Sequence, residues 1–167
     1  IARLTDHGVE QRVHPCMVAE GTAIAHVGGV FNAVVAEGDF VDRVVFEGRG
    51  AGEGPTASAV IGDVMDIARG IRLPAFSIAA KELKAIEAAR MDRHIGPYYV
   101  RLSVLDQPGV IADISAILRD LHISIGSMLQ RGRDPGEPVP VVLITHESEE
   151  AALAKAMTLI GDLDSVV

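Results

Sequence analysis

The sequence predicts an α+β fold in which a hairpin and a helix are followed by a ferredoxin-like βαββαβ unit. Apolar and polar residues alternate at 98–105, as in a strand, and a turn at 106–109 leads into a helix with one apolar face. Two further strands at 123–130 and 139–145, a helix capped by Ser148 and ended by Gly161, and a fourth strand at 164–167 complete the order. Such a sheet leaves one face or edge uncovered, and a homodimer is the economical way to cover it.

The first half of the chain predicts strands and one long helix. Alternation at 8–13 indicates a strand, and two β-rich runs at 29–36 and 40–46 flank a Gly-Asp turn that is typical of a hairpin. A helix follows at 56–69, with Gly70 as its stop. Its apolar stripe, at Val60, Ile61, Val64 and Ile67, must be exposed or covered by a neighbour.

Composition shifts divide the chain into three parts. Residues 80–91 are rich in Ala, Glu and Lys and predict a short, mostly solvated helix or a helical linker, which the Gly96-Pro97 pair ends. The predicted division is therefore residues 1–70, a helical linker at 71–96, and a second domain at 97–167.

Charge and composition exclude several classes of function. The 167 residues carry a net charge of −8 with scattered basic residues, which argues against a nucleic-acid partner. The single cysteine, Cys16, forms no intrachain disulfide and fits a reducing cytoplasm. No apolar run approaches the roughly 20 residues of a membrane helix. The six histidines lack ligand spacing, so we expect no metal site. Because Ile1 is not an initiator methionine, we expect a piece of a longer protein.

A glycine-rich loop lies between the predicted hairpin and its helix. Glycines alternate at 48, 50, 52 and 54 before Pro55, so a ligand could approach the backbone at the N-terminus of a helix. The spacing G-x-G-x-G-x-G departs from the dinucleotide fingerprint G-x-G-x-x-G, and no Walker lysine follows. A tight strand-to-helix turn without a ligand is the alternative.

The second domain resembles an ACT domain, the ligand-binding module of many enzymes of amino-acid biosynthesis. The resemblance rests on residues 106–111 (Asp-Gln-Pro-Gly-Val-Ile), on Ile114, and on Ile123-Ser124-Ile125 in the next strand. The first domain resembles the C-terminal part of homoserine dehydrogenase at residues 9–15, at 30–34, and at 50–52 followed by 55–60. That family reduces aspartate semialdehyde to homoserine with NAD(P)H.

The resemblance implies both a cofactor contact and missing parts. Gly50, Ala51 and Gly52 would approach the nicotinamide end of NAD(P), and Asn32 would lie in a strand that helps to form the subunit interface. The cofactor domain and the catalytic lysine fall outside the sequence, so we assign no catalytic residue, expect no bound cofactor and expect no activity from this chain alone.

The resemblance also implies feedback regulation by an amino acid, with threonine as the expected effector. The predicted effector-binding residues, which surround the turn before the first helix, are Asp106, Gln107, Pro108, Gly109, Val110 and Ile111. Backbone N–H groups at this helix N-terminus could hold an α-carboxylate. Asp106 could take the ammonium group, or could only cap the helix.

Two other functions remain open. The ACT half could dimerise the protein without binding an effector, or the chain could be an intact small enzyme built on the glycine-rich loop. The polar residues Arg12, His14 and Glu47 are interpreted as solvated strand positions.

Overall fold

A computed structural model describes residues 1–74, 76–132 and 137–167. The described chain forms two compact units. One unit combines Ile1–His14 with Ile86–Val167, and the other is Pro15–Ala85. The strands are β1 (Ala2–Thr5), β2 (Gly8–Gln11), β3 (Phe31–Gly38), β4 (Asp42–Arg49), β5 (Ile95–Gly96), β6 (Tyr99–Leu105), β7 (Ile125–Gln130), β8 (Pro138–Thr145) and β9 (Ser148–Glu149). The α-helices are α1 (Glu53–Ala68), α2 (Val110–Asp120) and α3 (Glu150–Gly161).

The second half of the chain has the predicted βαββαβ order. The strands β6, β8 and β7 lie side by side in that order, and both pairings are antiparallel. The predicted fourth strand is reduced to an antiparallel bridge between Val166 and Val104, on the free side of β6. The ferredoxin-like prediction is therefore confirmed, with a last strand that is only a short contact.

Both helices of this unit pack on the sheet. The buried residues alternate along the strands and recur at helical spacing on the helices. Along β8, Val139, Val141 and Leu143 are buried, and α2 contributes Val110, Ile114 and Leu118 at helical spacing. The remaining buried apolar residues, on β6, the β7 approach and α3, are Val100, Val104, Ile123, Leu153, Ala156 and Ile160. This core fixes the position of the turn that leads from β6 into α2.

The unit Pro15–Ala85 contains the predicted hairpin and helix. β3 and β4 pair in register from Phe31 opposite Arg49 to Gly38 opposite Asp42, which places the turn two residues later than predicted. α1 ends as predicted at Gly70, whose φ is +79°. Its N–H donates to the carbonyl of Ile67 and the N–H of Ile71 donates to that of Asp66, both at 3.0 Å, which is the Schellman pattern.

Two local predictions are wrong. Instead of a helix at 80–91 there are only the 3-10 turns Ala80–Glu82 and Met91–Arg93. The backbone between them pairs with β2, since Val9 donates to Glu87 at 2.9 Å and accepts from Ala89 at 2.8 Å. Pairing with β2 thus outweighs the helix propensity of this segment, which is too short to form a stable helix alone. Ser148 does not cap α3 but belongs to β9, which pairs with β5.

The compact units divide the chain elsewhere than at the predicted boundaries, residues 70 and 96. The first hairpin, β1–β2, groups with the second half of the chain because β2 pairs with residues 87–89. The division into 1–70, 71–96 and 97–167 stays a prediction about the modules of the chain. The segment 131–138, between the strands predicted at 123–130 and 139–145, lies partly outside the described residues.

Candidate functional site

The glycine-rich loop and the start of α1 line an open groove. Its volume is about 610 Å³ and its walls are formed by Gly50–Glu53, Thr56, Ala57, Val60 and Ile61. Gly52 precedes α1 with φ +120°, a conformation that L residues rarely adopt, and its carbonyl accepts the N–H of Thr56 at 3.1 Å. All three residues predicted to approach a cofactor therefore lie along this groove.

Asn32 lies directly against the glycine-rich loop. A Cβ atom at Gly50 would overlap the side-chain amide of Asn32, whereas one at Gly48 or Gly54 would meet nothing within 4 Å. A larger residue at Gly50 would therefore require the side chain of Asn32 to move. The sequence singled out Asn32 only for a subunit interface, because the contact across the hairpin requires the β3–β4 register.

The face of α1 that carries the predicted apolar stripe is exposed. The exposed fractions are 54% for Val60, 59% for Ile61, 52% for Val64 and 70% for Ile67. These side chains are not packed within the described chain, which agrees with a stripe that is either exposed or covered by a neighbour.

A second cleft lies at the turn between β6 and α2. It has a volume of about 390 Å³ and brings together all but one of the predicted effector-binding residues: Asp106, Gln107, Pro108, Val110 and Ile111. Val104, Leu105 and Gln130 complete the lining. Sequence reasoning missed Gln130. The single sequence feature that marks Gln130 is its position as a polar residue at the end of the predicted strand at 123–130. It could not be placed beside the turn, because the neighbour of that strand in the sheet was not predicted.

Gly109 shapes this cleft through its backbone. It is the residue that precedes α2, with φ +98°, and its carbonyl accepts the N–H of Asp113 at 3.0 Å. The N-cap residue of α2 is Gly109, which has no side chain, and the capping role considered for Asp106 stays a prediction. The first N–H groups of α2 have no partner within the helix and point toward its N-terminal end, as in anion sites.

A buried charged cluster connects the first hairpin to the second half of the chain. Oε1 of Glu10 lies 3.0 Å from Nη2 of Arg12 and 3.0 Å from Nδ1 of His94, and Oε2 accepts a hydrogen bond from Arg3 at 3.0 Å. Nη2 of Arg12 also lies 2.8 Å from Nε2 of His94. Because a guanidinium only donates, this contact requires the imidazole to be unprotonated at Nε2.

Burial sets this cluster apart from the other ion pairs. The side chains of Glu10, Arg12 and His94 are only 6%, 13% and 9% exposed. The interpretation of Arg12 as a solvated strand residue is therefore wrong, whereas His14 and Glu47 are exposed. Local alternation could not reveal the cluster, because its partner His94 is 82 residues away from Arg12.

The electrostatic environment shifts two pKa values near the cluster. Burial would raise the pKa of Glu10, but its contacts with Arg3 and His94 and the charge of Arg12 outweigh burial and hold that pKa below 4.5. Burial raises the pKa of Tyr98 well above 10, and its hydrogen bond to Glu150 at 2.7 Å acts in the same direction. Tyr98 therefore stays a neutral donor.

Within 1–74, 76–132 and 137–167, no cluster of three or more His, Cys, Asp and Glu residues could hold a metal ion. In the same ranges, no helix is long and apolar enough to cross a membrane.

Comparison with known proteins accounts for both halves of the chain. The model of the homoserine dehydrogenase family matches residues 1–65, and that of the ACT domain matches residues 98–161. These matches define the class of the chain, which joins a family-specific segment to an ACT domain. Within that class, the chain belongs to the homoserine dehydrogenase family.

Individual relatives agree with this assignment. The homoserine dehydrogenase of Neisseria gonorrhoeae is 35% identical over 99% of this chain, and that of Pseudomonas aeruginosa is 34% identical over 99%. A crystal structure of a homoserine dehydrogenase from Thiobacillus denitrificans has a TM-score of 0.87 and 37% identity, and covers 99% of this chain. The chain spans about 40% of the length of the two curated relatives and 38% of the crystallised chain.

Proposed function

We propose that this chain is the C-terminal part of a homoserine dehydrogenase and supplies the amino-acid regulation of that enzyme. The whole protein would interconvert aspartate semialdehyde and homoserine with NAD(P). The observation that carries the proposal is the cleft between β6 and α2, in which the turn predicted to bind an effector lies at a helix N-terminus. The groove along Gly50–Gly52 supports the dehydrogenase part of the proposal.

The groove at the glycine-rich loop would form one wall of the cofactor site. Its lining is mainly small and apolar, so it fits the nicotinamide ring better than a phosphate group. The exposed stripe on α1 would pack against the cofactor domain of the whole enzyme. The chain would act in the cytoplasm as a homo-oligomer, through the ACT sheet and the strands of the first half.

The cofactor proposal predicts that the isolated chain is inactive. We expect no aspartate-semialdehyde-dependent oxidation of NADPH or NADH by this chain, because the groove offers only one wall and no proton donor of the reaction. The spectrophotometric assay at 340 nm decides this. Measurable turnover would favour the alternative of an intact small enzyme.

The cleft would bind an α-amino acid, with threonine as the proposed effector. Its carboxylate would meet the N–H groups at the start of α2, where the helix dipole also favours negative charge. Asp106 would face the ammonium group, and the amide of Gln107 or Gln130 could hydrogen-bond the threonine hydroxyl. The two signs of charge thus match the two ends of an amino acid.

The binding test compares two glycines with the same backbone constraint. Gly109 and Gly132 have φ of +98° and +87°, and a Cβ atom at either would meet nothing within 4 Å. Gly109→Val and Gly132→Val therefore carry similar strain, but only Gly109 adjoins the cleft. We expect calorimetry to show loss of threonine binding for Gly109→Val and retention for Gly132→Val. Equal affinity of Gly109→Val and the wild type would contradict the proposal.

An ACT half that only dimerises the protein is the second candidate, favoured by the open edge of β7 in the three-stranded sheet. It predicts a concentration-dependent dimer and no heat of binding with any amino acid. Calorimetry against a panel of amino acids, beside sedimentation velocity with and without threonine, separates the two functions.

A further inference from the structure

The first hairpin, β1–β2, lies in the part of the sequence that matches the homoserine dehydrogenase family, but it packs with the part that contains the ACT domain. Residues 1–65 match the homoserine dehydrogenase family, and residues 98–161 match the ACT domain. In the structure, however, Ile1–His14 forms one compact unit with Ile86–Val167. A segment of the dehydrogenase match is thus built into the unit that contains the ACT domain.

The attachment consists of the Glu10–Arg12–His94 cluster and two backbone bonds beside it. The charged side chains are nearly buried and meet at 2.8–3.0 Å. Val9 exchanges backbone hydrogen bonds with Glu87 and Ala89 on the same stretch of chain. Removing one member of a buried ionic cluster leaves the others uncompensated, so this attachment is strong only while all three residues are present.

The cluster is also incompletely hydrogen-bonded. Among the described residues, Oε1 of Glu10, Nε of Arg12 and Nδ1 of His94 find no partner with hydrogen-bond geometry. The cluster is held by the hydrogen bond from Arg3 to Glu10, by the contact between Arg12 and His94, and by the ionic contacts of Glu10. A network that is only partly satisfied can be shifted by small displacements of its members.

Contacts continue from His94 into both halves of the ACT fold. The carbonyl of His94 accepts the N–H of Glu150, the first residue of α3, at 2.8 Å. Tyr98 lies edge-on to the His94 ring and donates its hydroxyl to the carboxylate of Glu150 at 2.7 Å. Next to Tyr98 begins β6, which ends about 20 Å away at Leu105 in the lining of the cleft.

We propose that the Glu10–Arg12–His94 cluster is the connection through which an amino acid in the β6–α2 cleft acts on the dehydrogenase segment. The inference rests on the proposed effector site. A ligand in the cleft would stabilise β6 and the start of α2, and would thereby limit the motion of Tyr98 and Glu150. Because these two residues contact His94, the motion of His94 and of the hairpin β1–β2 would be limited as well. Such coupling needs a continuous packed route, which the contacts from the cleft to the hairpin provide within this unit, and a joint that can rearrange, which the incompletely hydrogen-bonded cluster would supply.

Hydrogen exchange measured by mass spectrometry on the whole chain tests the connection in two stages. Without ligand, Arg12→Met keeps the aliphatic stem but removes the contacts with Glu10 and His94. We expect amides of residues 1–14 to exchange about tenfold faster or more, while those of 138–145 stay protected. The control is Arg90→Met, which removes an exposed ion pair with Asp92 just before His94 in the sequence. It should leave the exchange rates of both segments unchanged.

The second stage adds a saturating concentration of L-threonine. In the wild type we expect slower exchange both at 104–111 and at 1–14. In Arg12→Met, protection should persist at 104–111 and disappear at 1–14. Tyr98→Phe, a milder change that removes only the hydroxyl bond to Glu150, should keep ligand-free exchange at 1–14 near that of the wild type and weaken its response to threonine.

The outcomes separate this connection from the proposed effector site. Protection of 104–111 without any response at 1–14 in the wild type would overturn the connection and leave the effector site standing. No protection at either segment would overturn the threonine site, and the regulatory connection with it. Unchanged ligand-free exchange at 1–14 in Arg12→Met would overturn the structural attachment itself.

Discussion

Gly50 and Asn32 show how a single side chain fixes the geometry of the glycine-rich loop. A methyl group at Gly50 would occupy the space of the Asn32 amide, which is at the end of a short side chain and can swing away. We expect Gly50→Ala to shift the side-chain amide resonance of Asn32 in a nitrogen–proton correlation spectrum. Gly48→Ala, which meets nothing within 4 Å, is the matched control. An unmoved Asn32 resonance in Gly50→Ala would contradict the contact.

The buried carboxylate of Glu10 gives a pH-dependent contribution to stability. Because its pKa is held below 4.5 in the folded state, the contribution is complete above that value and is lost as pH falls through the folded pKa. The wild type should therefore be more stable than Glu10→Gln near neutral pH, and the difference should shrink below pH 4.5. Urea unfolding followed at pH 7, 5, 4 and 3 measures it. A difference that is constant over this range would exclude a special role for the ionised carboxylate.

At the scale of elements, α1 offers two glycine substitutions with opposite expected signs. Gly70 adopts φ +79° in the Schellman turn, so Gly70→Ala should destabilise the helix by about 1 kcal/mol. Gly62 lies within α1 with open space around it, so Gly62→Ala should stabilise the helix by about 0.5–1 kcal/mol. Circular dichroism at 222 nm during thermal unfolding compares the two. The same sign for both would mean that α1 does not end as described.

The elements also show what local sequence can predict. The prediction agrees with the structure at β6, α2 and β8 because each of these elements buries one face, so its periodicity reflects the core. The segment at 80–91 failed because its backbone pairs with β2, which helix propensity does not encode. The predicted residues at 106–108 and 110–111 line one cleft because they are nearly contiguous in sequence. Gln130 and His94 could not be assigned from the sequence, since each joins its site only through strand pairing or a contact between distant segments.

The two compact units differ in how much of their apolar surface is covered. In the unit with the ACT domain, the two helices and the sheet bury an apolar core. In Pro15–Ala85, no described residue is buried, and large apolar side chains such as Phe40 and Ile67 are exposed. A unit without a core gains too little from burial to offset the entropy of ordering its backbone. The surfaces of β3, β4 and α1 therefore require cover from outside this unit.

This contrast predicts a hierarchy of stability within the chain. We expect hydrogen exchange to show strong protection of the backbone amides at 99–105, 110–120 and 138–145. At 31–49 and 53–68 we expect protection factors that are lower by about a hundredfold or more. Dilution is the control, because protection of 31–68 that appears only at high chain concentration would identify a second copy as the cover. Equal protection of both units at all concentrations would show that the hairpin and α1 hold together without a buried core, and would contradict the proposed packing of α1 on a cofactor domain.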